Sequence, residues 1–120
     1  MVFVTADSCR AQLGRLTQIL IDSFPGSMVY QHTDPSRVSH DVLSHKVDAV
    51  LLEAEKTNAL DLMQKLRRQK PDLPVFILSK TDRLCEKAVA AGASGYFVLP
   101  ESEEQLLNAL RLLKRKENVS

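Results

Sequence analysis

The sequence predicts an α/β fold, a parallel sheet covered by helices on both faces. Three observations carry that expectation. Ala49-Val50-Leu51-Leu52 and Val75-Phe76-Ile77-Leu78 are uninterrupted apolar runs, each stopped by a polar residue, Glu53 and Ser79. Short aliphatic and β-branched runs of this kind suit strands buried on both faces. The third observation is that strand and helix patterns alternate five times along the chain, which implies parallel strands joined by right-handed crossovers. In open sheets of this class, ligands sit beyond the carboxyl ends of the strands, so Glu53 is placed where chemistry is expected.

The elements follow in order. Val2 to Ala6 reads as a first strand ending at Asp7-Ser8, either of which caps a helix by accepting a first-turn N–H. Leu13, Leu16, Ile19 and Leu20 recur at helical spacing, giving a first helix over 9–22 that Phe24-Pro25-Gly26 ends. Ser27 to Gln31 is the second strand. Asp34-Pro35 opens a short second helix marked by Val38 and Val42, with proline where its missing N–H costs nothing. The third strand ends at Glu53, and Thr57-Asn58 caps a third helix whose apolar face is Leu60, Met63 and Leu66. Pro71 and Pro74 hold a loop before the fourth strand. Thr81 or Asp82 opens a fourth helix with Leu84, Ala88 and Ala91 on one face, and Gly92 is its left-handed cap. Gly95 to Leu99 is the fifth strand. A fifth helix starts at Ser102, with Gln105 placed for a capping box, and runs from acidic Glu103-Glu104 to basic Lys114-Arg115-Lys116.

Bulk properties exclude several classes. With 120 residues, 44% of them hydrophobic and 26% charged, the chain reads as one domain, 1–120, without repeats or linkers. A net charge of +1 gives no general attraction to nucleic acid or membrane. No segment is long and apolar enough for a membrane span, and the first residues lack a basic signal-peptide region, so the expected location is the cytoplasm. Cys9 and Cys85 read as two reduced thiols. No Gly-x-Gly-x-x-Gly follows the first strand, so a dinucleotide cradle is absent. His40 and His45, five apart, do not share the helical spacing of metal ligands, and both read as solvated, as does His32.

Residues Leu66-Arg67-Arg68, Leu73-Pro74-Val75-Phe76-Ile77-Leu78-Ser79, Ala91-Gly92-Ala93-Ser94-Gly95-Tyr96 and Pro100, in this order and spacing, resemble the receiver domain of two-component response regulators. The resemblance covers nearly the whole chain. It implies a flavodoxin-like (βα)5 doubly wound sheet, strand order 2-1-3-4-5, with an active site at the carboxyl ends of strands one, three, four and five. In that family two acids after strand one hold Mg²⁺, an Asp after strand three takes the phosphoryl group, and a Ser or Thr after strand four bonds it. A Lys before a proline after strand five pairs with it. Carried over, the acid pair falls on Asp7 and Ser8, the phosphoacceptor position on Glu53, the hydroxyl on Ser79, and the lysine position on Leu99, followed by the expected Pro100. Tyr96 falls where the family has an aromatic that moves with the hydroxyl.

Three of these positions depart from the pattern. Ser8 replaces a charge by a neutral ligand. Glu53 reaches roughly 1.5 Å further than Asp. Leu99 supplies no cation for the developing charge of a transfer. The expectation is therefore an atypical, pseudo-receiver module that works by protein–protein interaction and is no enzyme. No cofactor is expected; Mg²⁺ has weak candidates in Asp7, Glu53 and a backbone carbonyl near Glu55. Leu107 and Leu112 widen the apolar stripe of the last helix, formed by Leu106, Ala109, Leu110 and Leu113, beyond an ordinary core face. By resemblance this implies a homodimer through helix four, strand five and helix five. Partners implied are a histidine kinase, an output domain or another regulator, with no membrane and no direct nucleic-acid contact. The alternatives are a receiver that still takes phosphate with Mg²⁺, or the N-terminal regulatory domain of a transcription factor, with the Lys114-to-Asn118 tail starting a linker.

Overall fold

The computed structural model describes residues 1–54 and 58–119, with the side chains of 115–119 left aside. Its strands are β1 (Val2–Ala6), β2 (Met28–His32), β3 (Ala49–Glu53), β4 (Val75–Ser79) and β5 (Gly95–Val98). They are all parallel and ordered β2-β1-β3-β4-β5. The helices are α1 (Arg10–Ser23), α2 (Val38–Ser44), α3 (Ala59–Gln69), α4 (Cys85–Ala90) and α5 (Glu103–Val119). Strand alternation sends successive side chains to opposite faces. Val4, Ala6, Val50, Leu52, Val75 and Ile77 therefore meet Val38, Val42, Met63, Leu66 and Ala88 of α2, α3 and α4. Phe3, Ala49, Leu51, Phe76 and Leu78 meet Leu16, Leu20, Leu106, Leu107 and Leu110 of α1 and α5. β3 and β4 are covered on both sides, as their unbroken apolar runs require.

Several local expectations are corrected. Asp7 and Ser8 do not cap α1: Cys9 holds that position, and Asp7 Oδ1 takes the Cys9 N–H at 2.8 Å in a turn just before the helix. Asp34 accepts the Ser36 N–H at 3.0 Å, but Pro35–Arg37 winds as a 3₁₀ turn before α2. Asn58 precedes α3 without a side-chain cap bond, and Thr57 lies outside the described residues. The fourth helix is shorter than expected. Thr81 Oγ1 accepts from the Arg83 N–H at 3.4 Å and the Asp82 carbonyl from the Cys85 N–H at 3.0 Å, so these residues form turns and α4 begins only at Cys85. It ends as predicted. Gly92 has φ +95°, its N–H donates to the Val89 carbonyl, and the Ala93 N–H donates to the Ala88 carbonyl, a Schellman motif.

One histidine is corrected too, while His40 and His45 are exposed as expected. His32 is not simply solvated, because its Nε2 pairs with the buried Asp41 carboxylate. The His45 ring stacks on Tyr30, with centroids 4.5 Å apart. Cys9 and Cys85 are free thiols. Among the described residues, no helix is long and apolar enough to cross a membrane.

Candidate functional site

The carboxyl ends of β1, β3, β4 and β5 open onto a cleft of about 350 Å³. Asp7 and Glu53 bring carboxylates to it; Leu16, Ile19, Leu78 and Leu99 give it apolar walls; Arg15, Lys80, Glu101 and Glu103 complete its charged lining. Each position follows from the strand that delivers it. Asp7 follows β1 directly, and its N–H donates to the His32 carbonyl of β2 at 3.1 Å. Glu53 is the last residue of β3 and is half-buried. The ladder continues one residue beyond it, with the Ala54 N–H donating to the Leu78 carbonyl at 2.8 Å. Ser79 closes β4 at 4% exposure; its Oγ accepts the Thr81 N–H at 3.2 Å and its carbonyl accepts the Leu99 N–H at 2.8 Å. Leu99 follows β5, and its peptide bond to Pro100 is cis.

Of the residues singled out in the sequence, the cleft collects Asp7, Glu53, Ser79, Leu99 and Pro100. Ser8 is exposed and does not line it. Tyr96 stands outside it, half-buried, with its hydroxyl donating to the Thr81 carbonyl at 2.6 Å. Tyr96 is thereby tied to the segment that follows Ser79. Leu107 and Leu112 lie away from the cleft and differ from each other. Leu107 is 5% exposed and belongs to the α1/α5 core, because the stripe of α5 is wide enough to reach Phe3 and Phe76 from a helix lying flat on the sheet. It is not surface, contrary to the expectation. Leu112 is 56% exposed.

Sequence reasoning missed three side chains that shape this cleft. Arg15 of α1 donates to Glu103 of α5 at 3.0 Å. Gln12 of α1, with its amide oriented to satisfy both neighbours, donates to Asp7 Oδ2 at 2.7 Å and accepts from Lys80 Nζ at 3.1 Å. Lys80 thus brings an ammonium to the acidic end from the position just after β4. The only sequence signal was its adjacency to Ser79; the pairing with α1 is tertiary.

No protein-family model matches the chain. Among curated proteins, response regulator MprA of Mycolicibacterium vanbaalenii is 31% identical over 98 residues, which cover 78% of this chain and 42% of that protein. MprA of Mycobacterium avium is 29% identical over 120 residues, covering 97% of the chain and 52% of its relative. The chain therefore spans about half the length of the curated relatives it matches. A response regulator receiver domain protein from Clostridium thermocellum superposes with a TM-score of 0.84 at 18% identity, over 99% of this chain and 98% of that one. The chain is a response-regulator receiver domain. A two-component response regulator from Clostridium difficile has the same receiver fold, with a TM-score of 0.83 at 18% identity and 98% coverage of both chains. Receiver domains of this family are signalling modules of two-component systems, and the flavodoxin-like order expected from the sequence is the order observed.

The resemblance assigns Mg²⁺ to the acid pocket of a receiver, and the donor set here fits that ion poorly. Mg²⁺ requires near-octahedral oxygen coordination. Among the described residues, no group of three or more His, Cys, Asp or Glu side chains is placed to hold a metal. Both oxygens of Asp7 already accept protein N–H groups, Ser8 faces outward, and Lys80 adds a positive charge to the same cleft. The carbonyl near Glu55 expected as a ligand lies outside the described residues.

Proposed function

We propose that this receiver domain acts as a protein-interaction module whose output does not depend on the standard aspartyl phosphorylation cycle. The observation that carries this reading is the lining of the cleft. At the position where the family pairs a lysine with the phosphoryl group, Leu99 stands beside Leu16, Ile19 and Leu78. Apolar side chains offer nothing to a developing negative charge, and a fixed charge aimed at the transferring group is usually the largest electrostatic contribution to such a transfer. Glu53, at the phosphoacceptor position, presents its carboxylate one methylene further out, and displacements near 1 Å cost on the order of 10²-fold in rate. Glu53, Ser79 and Tyr96 then serve to hold one conformation of the cleft.

The partner in this reading is another protein of the signalling chain: a histidine kinase, an output domain or a second regulator. The proposed surface is α4, β5 and α5, where Val89 is 62% and Leu112 is 56% exposed. A second copy of the chain is a natural occupant of that face, since isologous dimers are the commonest assembly. A second reading places the domain at the N-terminal end of a longer transcription factor; the chain matching about half of the MprA length favours it. The tail expected to begin a linker runs into side chains outside the described residues.

The deciding experiment is intact-mass analysis after incubation with a small-molecule phosphodonor, with and without Mg²⁺. An unchanged mass in both conditions is expected. A Mg²⁺-dependent phosphoryl adduct that disappears in Glu53→Gln overturns the proposal.

A further inference from the structure

Gln12 is shared between Asp7 and Lys80, at 2.7 Å on one side and 3.1 Å on the other, and all three side chains line the cleft. We propose that Lys80 is the resident cation of this pocket, tethered through Gln12 beside Asp7, and that it replaces a divalent ion there. The inference rests on the reading of the site as atypical, and names what neutralises it.

The chemistry supports this on three counts. First, a Gln amide can donate to a carboxylate and accept from an ammonium at the same time, so Asp7, Gln12 and Lys80 form a chain in which each bond is of the charge-assisted kind. Second, Gln12 belongs to α1 while Lys80 follows β4, so the contact brackets the acidic end of the cleft from both sides. Third, Lys80 shifts the charge count by one at the Asp7/Glu53 end of the cleft, where Arg15 is already paired with Glu103. With Asp7 and Glu53 as the acids at the strand ends, an added Mg²⁺ beside Lys80 leaves an excess positive charge, whereas without Lys80 the two carboxylates balance the ion. Like charges in one cleft disfavour each other, so the ammonium lowers affinity for any further cation.

The bond arrangement makes Gln12 a positioning residue: it acts on the pocket through the lysine. Lys80 is exposed at its own surface, so replacing it does not open the core.

The test is a Mg²⁺ titration of the whole chain without phosphodonor, at constant ionic strength, followed by melting temperature and by amide NMR shifts of Asp7 and Glu53. A ion that binds only the folded state raises its stability. Wild type and Lys80→Arg, which keeps the charge, are expected to show no Mg²⁺-dependent rise. Lys80→Met is expected to bind Mg²⁺ at least about tenfold more tightly, a conservative figure for removing one nearby unit charge from a solvent-screened site. Gln12→Ala, which releases the ammonium, is expected to fall between them. Equal Mg²⁺ responses in wild type and Lys80→Met, whether both bind or neither does, overturn the inference. A Gln12→Ala response equal to wild type overturns the tether. Either failure leaves the intact-mass result untouched, so it is distinguishable from a failure of the proposed function.

Discussion

Leu107→Ala separates a core residue of α5 from an interface residue. Leu107 is 5% exposed among Phe3, Leu16, Leu20 and Phe76. The substitution removes three carbons, worth roughly 2.4 kcal/mol of transfer free energy at about 0.8 kcal/mol each. A residual cavity between helix and sheet adds to this, giving a loss of about 3 kcal/mol, within the range for buried Leu→Ala changes. For a domain of this size that lowers the melting temperature by on the order of 15 °C. Urea unfolding followed by circular dichroism should show a lower midpoint at unchanged slope. Leu112→Ala is the control. At 56% exposure it should change monomer stability by less than about 0.5 kcal/mol. If the proposed dimer forms, it should instead reduce the dimer fraction seen by light scattering. The reasoning is refuted if Leu107→Ala costs less than about 1 kcal/mol.

Two further outcomes follow from local geometry. Gly92→Ala places a side chain at φ +95°; the new Cβ meets only Arg67 Nη1, at an ordinary 3.5 Å, so the cost is backbone strain of about 1–2 kcal/mol, measurable as a shifted urea midpoint. The Ser36 backbone N–H, then its side chain, and the nearby Arg37 and His32 charges hold the Asp34 carboxyl below its ordinary value of 3.8. A depressed carboxyl stabilises the fold above the unfolded value and loses that contribution as pH falls through the folded one. Stability measured against pH should therefore converge for wild type and Asp34→Asn below pH 3.8, and a gap that widens on acidification would reverse the assignment.

The sheet was legible because its signal is contiguous. Ala49–Leu52 and Val75–Leu78 are apolar on every residue, a pattern that only two-sided burial explains. Gly92 was legible for a similar reason, since a positive φ selects its residue type locally. The start of α4 was not. Thr81 and Asp82 are good capping residues, but the same side-chain and carbonyl acceptors also stabilise turns, and sequence does not say which use prevails. The strand ends placed Asp7, Glu53, Ser79 and Leu99 in the cleft as expected. Gln12 and Lys80 escaped because they are 68 residues apart by their numbers and meet only once the sheet is assembled. Leu107 was misplaced because a wide apolar stripe looks the same whether it faces a partner or a flat sheet.

The position of β1 has a bearing on how the domain comes to be made. Its neighbours are β2, beginning at Met28, and β3, beginning at Ala49. The strand synthesised first is therefore interior, and during elongation one of its edges stays open until residue 53 has emerged. Phe3 and Val4, fully buried at the end, have no finished core to enter in that interval. Pairings this distant along the chain form slowly and leave sticky edges exposed meanwhile. A chain that stops between β2 and β3 is thus expected to leave Phe3 and Val4 uncovered and one edge of β1 unpaired.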